Sequence, residues 1–303
     1  MDPQTLDLGR FKQRLKYYFH QDPVLSTLVE ENYFWSGRNI RGKVCLELGT
    51  FFHSSIDIIL DVAAFTEFLH NASLIHDDLV DHDYQRRGHP TIWAKYGKDK
   101  ALLLGDLFIA KAFTIASSAK VDSVTKSLWA FEISNTIANA VKGALNELEF
   151  RTEGPEDVFE QYFEMAAKKT GALFSLPILC LAIASGSDIT TKKSLKKIFS
   201  NLAVAYQIKD DQADFLGAKN GRIQSSDLIN ERPNLYHLLA SSDQSLTVTF
   251  SRISNYQNTL IESAKTSCNS LPYDVGKKLE KLLIPFVSLT PLCSSHLESP
   301  LMI

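Results

Sequence analysis

Residues 56–81 read IDIILDVAAFTEFLHNASLIHDDLVD, and this stretch decides the fold class. Its apolar residues, Ile56, Ile58, Ile59, Leu60, Val62, Ala63, Phe65, Phe68 and Leu69, recur at spacings of three and four rather than in alternation. That is the period of a helix, not of a strand. They fall on more than one face, which predicts a helix buried nearly all round. The stretch ends in Asp77-Asp78-Leu79-Val80-Asp81, three acids within about one turn.

Working outward, the same period runs through 101–117, 128–149, 158–171, 173–183, 193–216 and 255–268. No proline lies between Pro23 and Pro90 or between Pro90 and Pro155, and long intervals without breakers favour helices. Alternating valine and isoleucine are nearly absent. The sequence therefore predicts an all-α fold. Breaks at 37–42, 86–97, 154–155, 185–191, 217–234 and 271–275 are too short for an interdomain linker. They predict a single domain over 1–303, with 290–303 a divergent tail.

The composition narrows the function classes. The chain has 303 residues, 45% hydrophobic and 22% charged, with a net charge of −3. That suits a chain with a sizeable core and no general basic field for nucleic acid or an anionic membrane surface. Four cysteines, Cys45, Cys180, Cys268 and Cys293, are far apart and form no CxxC pair, so neither a zinc site nor a disulfide framework is indicated. The first residues carry Asp2 and Asp7 and no apolar signal core. No run reaches the roughly 18 or more apolar residues of a spanning helix. These features predict a cytoplasmic protein with no stable membrane insertion.

The acid cluster occurs twice, the second time as Asp210-Asp211-Gln212-Ala213-Asp214. On a helix the first and last acids of each cluster share a face. Like charges at that spacing destabilise an isolated helix by a few tenths of a kcal/mol, roughly, so something must offset them. One such cluster is equally compatible with a solvated acidic face. Two copies, each approached by apolar helix, favour a hard cation held by oxygen ligands. Magnesium suits this best, because it takes one or two carboxylates together with substrate phosphates. Basic residues accompany the acids. Arg86-Arg87-Gly88 follows the first cluster, Ser36-Gly37-Arg38-Asn39-Ile40-Arg41-Gly42 precedes it, and His70 lies two turns before Asp77. Lys169-Thr170-Gly171 ends another helix. Arginine pairs suit forked recognition of phosphate oxygens.

Leu69 to Asp81 with Arg86-Arg87-Gly88 resembles the first aspartate-rich motif of the trans-prenyl diphosphate synthases. Tyr206-Gln207-Ile208-Lys209-Asp210-Asp211-Gln212-Ala213-Asp214 resembles their second. Gly105-Asp106, Lys169-Thr170, Gly221-Arg222 and Ser226-Asp227-Leu228 follow in family order, and the likeness runs from about Tyr33 to Leu283. The resemblance implies a bundle of long antiparallel helices around a deep central cavity, usually a homodimer. It implies several magnesium ions on Asp77, Asp81, Asp210 and Asp214, with Asp78 and Asp211 in support. It gives Arg86, Lys169, Thr170 and Gln207 to the allylic diphosphate and Arg38, Arg41, His70 and Arg87 to isopentenyl diphosphate. Arg222 and Arg232 stand at later family lysines, Tyr206 replaces a usual phenylalanine, and Thr290–Ile303 does not match the family's basic end. The reaction implied is ionisation of the allylic diphosphate, attack by the double bond of isopentenyl diphosphate, and proton loss. A terpene cyclase, which needs no isopentenyl site, and a subunit of a heteromeric synthase are the alternative readings. Small Ala72 and Ser73 before Asp77 predict a product of roughly twenty carbons or more, geranylgeranyl diphosphate or longer. One helical turn rises about 5.4 Å, close to one isoprene unit, so Phe68 or Phe113 would stop the tail deeper.

Overall fold

The computed structural model describes residues 8–37, 39–151, 157–217, 226–240 and 245–287. The fold is all-α, as the periodicity predicts. The helices are α1 (Leu8–His20), α2 (Pro23–Ser26), α3 (Asn32–Trp35), α4 (Ile40–Leu48), α5 (Ile56–Val80), α6 (Ile92–Tyr96), α7 (Lys98–Ser118), α8 (Ser123–Leu148), α9 (Asp157–Ala166), α10 (Ala172–Ala184), α11 (Ile189–Phe215), α12 (Ser226–Ile229), α13 (Leu235–Ala240), α14 (Leu246–Cys268) and α15 (Tyr273–Val287). A π turn, Ala167–Gly171, joins α9 to α10. The chain divides into two compact units, Met1–Ile137 with Leu173–Leu195, and Ala138–Ala172 with Lys196–Ile303.

The first unit is built on α5. Ser55 caps its N-terminus, accepting from the Ile58 amide at 3.4 Å. Burial extends without a gap from Ile59 to Leu69, polar residues included. This is the all-round burial that the sequence predicts. Helix α1 is strapped to α5 by Arg14, which pairs with Asp57 and, at 2.6 Å, with Asp61, while the Tyr18 hydroxyl donates to Asp61 at 2.7 Å. Helix α7 lies close on α5. A Cβ added at Gly105 would sit 2.1 Å from His76 Nε2, so only glycine admits that ring. Phe19, Phe34, Phe68 and Phe108 form a buried aromatic cluster, with ring centroids 5.2–5.6 Å apart. On another side of α5, Phe65 meets Trp129, whose indole donates to the Cys180 carbonyl at 2.8 Å.

A short antiparallel hairpin, β1 (Gln85–Arg86) and β2 (His89–Pro90), follows α5. Its two-residue turn, Arg87-Gly88, has positive φ at both positions (54° and 79°), the geometry that matches strand twist and normally calls for glycine or asparagine. The periodicity reading did not anticipate this hairpin, because two residues per strand leave no alternation to detect.

The second unit has its own core, around Tyr162, Ile208, Phe215, Leu235, Tyr236 and Phe250. Gln257, buried, donates to the carbonyls of Ala205 and Val287, both at 2.8 Å.

The expectation on apolar length needs correction. Among the described residues, three helical stretches, Ile56–Val80, Lys98–Ser118 and Asp157–Ala184, are long and apolar enough to cross a membrane by length and composition. Their 18-residue windows average a hydropathy of 1.4 to 1.5 despite the charges that interrupt them. The windows in Ile56–Val80 and Asp157–Ala184 are 83% and 72% buried, that in Lys98–Ser118 only 39%.

Candidate active site

Each unit carries one acid cluster, and in both clusters the middle acid is buried and held by a tyrosine. In the first, Asp78 is fully buried at the end of α5. The Tyr33 hydroxyl donates to its Oδ2 at 2.7 Å, and Arg86 grips its Oδ1 through Nε at 2.7 Å and Nη2 at 2.6 Å. Burial raises the Asp78 pKa, an effect that the Arg86 guanidinium and the Tyr33 hydroxyl oppose. The same carboxylate raises the pKa of Arg86 against the effect of its own burial. Asp77 and Asp81, by contrast, are partly exposed, and the Asp81 amide closes the last turn onto the Asp77 carbonyl at 2.8 Å. The loop beyond is tied down by Thr91 Oγ1 and Trp93 Nε1, which donate to the Asp83 carbonyl at 2.7 and 2.8 Å.

Beside this cluster the first unit gathers cations. Arg87, exposed at the hairpin turn, approaches Gly37 so closely that a Cβ there would lie 2.6 Å from its Nη1. Arg41 stacks over Phe174 at 5.2 Å. Burial and the nearby Arg41, Arg87 and Arg86 hold the His70 pKa well below its ordinary value, which keeps the ring neutral. His70 Nδ1 is buried and finds no hydrogen-bond partner among the described residues. Glu67 is buried nearby with Oε2 likewise unpartnered; burial raises its pKa while Arg41 and Arg87 draw it down. Two arginines around a neutral imidazole with an open nitrogen make a receptor for an anion. His76 does not join this group. It turns onto α7, where Nε2 lies 3.2 Å from the Leu102 carbonyl.

In the second unit Asp211 is buried and accepts from Tyr162 Oη at 2.8 Å, the Leu235 amide at 2.9 Å and Gln207 Nε2 at 3.0 Å. Burial pushes its carboxyl up to about 8 in spite of these donors. Asp214 is buried too and accepts from the Asp227 amide at 3.2 Å. Asn234 bridges the Asp211 carbonyl and the Asp227 carboxylate, 3.1 Å from each. Asp210 alone of the three is partly exposed. Gln207, expected at substrate, also accepts from Thr170 Oγ1 at 3.5 Å. Lys169 and Thr170 lie within the π turn, an irregularity that often marks functional positions in helices. Lys169 Nζ reaches Glu147 at 2.5 Å, and Arg232 Nη1 lies 4.0 Å from the same oxygen.

The structure thus gathers Arg41, His70, Arg86 and Arg87 near one acid cluster, and Lys169, Thr170, Gln207 and Arg232 around the second unit's own acids. Arg38 and Arg222 lie outside the described residues. Tyr33, Tyr162, Glu67 and Glu147 are contributors that the sequence reading missed. None belongs to a spaced motif, and each is identified only by what the fold brings to it.

The chain-length residues divide. Ala72 is buried and Ser73 is half-buried, one turn from Asp77. Phe68 lies nine residues before Asp77, about 180° round α5, and packs into the aromatic cluster. The α7 ring that meets it is Phe108, at 5.2 Å; Phe113, expected there, is half-buried about 140° further round that helix.

Among the described residues no three acids, histidines or cysteines converge to close on a metal by themselves. Asp77 and Asp81 offer oxygen donors one turn apart, both partly exposed.

A family model described as polyprenyl synthetase matches residues 22–268. A short chain isoprenyl diphosphate synthase of Methanocaldococcus jannaschii is 30% identical over 241 residues, covering 78% of this chain and 73% of its own. A geranylgeranyl diphosphate synthase of Methanosarcina mazei is 28% identical, covering 78% and 74%. Among solved structures, a geranylgeranyl pyrophosphate synthetase from the archaeon Geoglobus acetivorans superposes with a TM-score of 0.80 at 20% identity, covering 92% of this chain and 97% of that one.

Proposed function

The chain belongs to the polyprenyl synthetase family, and on that premise we propose that it condenses isopentenyl diphosphate with an allylic prenyl diphosphate, under magnesium, to a product of roughly twenty carbons or more. It is a prenyltransferase that elongates an isoprenoid chain. The observation that carries the reading is the division of labour in the acid clusters. The middle acids are engaged by tyrosines, while Asp77, Asp81 and Asp210 remain partly exposed.

Asp77 and Asp81 in the first unit, and Asp210 and Asp214 in the second, would hold magnesium. Magnesium, when bound, neutralises the charge that develops on a departing diphosphate. The chain's own residues do the rest. Arg41 and Arg87 bind the second diphosphate, and neutral His70 offers it a hydrogen bond without adding charge. Lys169, Arg232 and Gln207 address the allylic diphosphate and stabilise charge as it leaves. Buried apolar walls such as Ala72 and Leu74 exclude the water that would quench an allylic cation.

Names among the relatives include short chain isoprenyl, geranylgeranyl, geranylfarnesyl and decaprenyl diphosphate synthases, and small Ala72 supports a product beyond the shortest of these. The resemblance also calls for a homodimer. Supporting it, α7 exposes Leu102 and Leu103, and α8 exposes Val124, Leu128 and Phe131 in its first half, apolar area that a second copy would cover.

The test is a product assay with isopentenyl diphosphate and dimethylallyl, geranyl or farnesyl diphosphate, with magnesium and with chelator. Elongated diphosphate should form only with the metal. Asp77→Ala and Asp210→Ala should cut turnover by roughly 100-fold or more, with helical circular dichroism retained. Hydrocarbon made from an allylic diphosphate alone would identify a cyclase instead.

A further inference from the structure

Gly143 and Glu147 stand one turn apart on α8, and so on one face of it. A Cβ at Gly143 would lie 2.3 Å from the Lys169 backbone nitrogen and 2.7 Å from its Cα. No side chain fits there, and the π turn rests its backbone directly on α8. One turn on, the Glu147 carboxylate receives Lys169 Nζ at 2.5 Å, and Arg232 Nη1 lies 4.0 Å from the same oxygen. All three side chains are largely buried, at 13%, 21% and 12% exposure for Glu147, Lys169 and Arg232. Such burial distinguishes this group from surface ion pairs, which water screens.

The cations come from elements far apart in sequence, and without the carboxylate they would repel each other. Lysine, a flexible point charge, gains most from being held.

We propose that Glu147 is a positioning residue for the allylic diphosphate. It holds Lys169 and Arg232 side by side, so that an incoming diphosphate meets two cations already in place, and Gly143 sets the height of the π turn that carries Lys169. The proposal rests on the prenyl-transfer reading of the site.

The experiment compares Glu147→Gln, which keeps the shape and removes the charge, with Glu147→Asp, which keeps the charge. Steady-state kinetics are measured for both substrates. Glu147→Gln should raise the KM for the allylic diphosphate by about tenfold or more, leave that for isopentenyl diphosphate within about twofold, and lower kcat. Glu147→Asp should recover most of the loss. Equal rises in both KM values, unchanged kinetics in Glu147→Gln, or no recovery in Glu147→Asp would overturn the assignment. Isothermal titration with inorganic pyrophosphate and magnesium reads the same placement without turnover, and should show about tenfold weaker binding to Glu147→Gln, a free-energy change of about 1.4 kcal/mol. If the wild type does not condense the substrates at all, the functional reading falls, and the titration still decides Glu147: equal binding by both proteins overturns its role. Should Glu147→Gln not fold, Glu147→Met takes its place against Glu147→Asp and the wild type, a selective allylic rise in the uncharged variant supporting the role and none opposing it.

Discussion

Gly143→Ala should cost this protein far more activity than stability. The added methyl would lie 2.3 Å from the Lys169 nitrogen, where ordinary contact begins at 3.4 Å. The obstacle is backbone, which no change of rotamer relieves, so the π turn must withdraw by about 1 Å. A shift of that size at a group that orients substrate costs on the order of 100-fold in rate. The strain of overpacking is about 1–3 kcal/mol, offset by roughly 1 kcal/mol from the better helix propensity of alanine. A net loss of about 0–2 kcal/mol lowers the melting temperature by a few degrees at most in a chain of this size. Gly171→Ala is the control, because it lies in the same turn but has room: its nearest atoms would be Ser200 Cα at 3.4 Å and Ala203 Cβ at 3.5 Å. Turnover at saturating substrate and a thermal melt, run on both variants, make the comparison. Wild-type turnover in Gly143→Ala, or an equal loss in Gly171→Ala, would refute the reasoning.

Two further outcomes follow from the first unit. The His70 pKa is lowered on folding, so its contribution to stability is full above the unfolded value of about 6.5 and is lost as pH falls below it. Between pH ~7.5 and ~5.5 the wild type should therefore lose about 1 kcal/mol more than His70→Gln, read by chemical denaturation; parallel losses would show that the ring titrates freely. Ala72→Phe places a ring on a buried face of α5 close to Asp77, and mass analysis should show a product shorter by one or more isoprene units. An unchanged product would place the limit elsewhere.

Helix α5 was legible because a buried helix writes its period into its apolar residues, and Ile56–Leu69 carry that period without interruption. The acids were legible as clusters, since spacing is a property of the chain. Which acid of each cluster is buried was not. Asp78 owes its burial and its bonds to Tyr33, 45 residues away, and to Arg86. Asp211 owes its own to Tyr162, 49 residues away. The π turn left no trace either, because a shift of one residue in hydrogen-bond register changes no side chain. That Phe108 is the α7 ring that meets Phe68 follows from the rotation of α7, which the contact of Gly105 with His76 fixes and the sequence does not show. Glu147 sits among other acids in Asn-Glu-Leu-Glu, and nothing local distinguishes the one that faces Lys169.

The matched tyrosine–aspartate pairs, Tyr33 with Asp78 and Tyr162 with Asp211, bear on how such a sequence drifts. A gene copy relieved of catalysis loses little foldedness when Asp77, Asp81 or Asp210 changes, because those side chains are partly exposed. It loses a buried hydrogen-bond network when a middle acid changes, and leaves a tyrosine hydroxyl stranded in the core. Decay should therefore begin at Asp77, Asp81 and Asp210, and a descendant reading Asn-Asp-x-x-Asn at the first site and Asn-Asp-x-x-Asp at the second would be a folded scaffold without an enzyme.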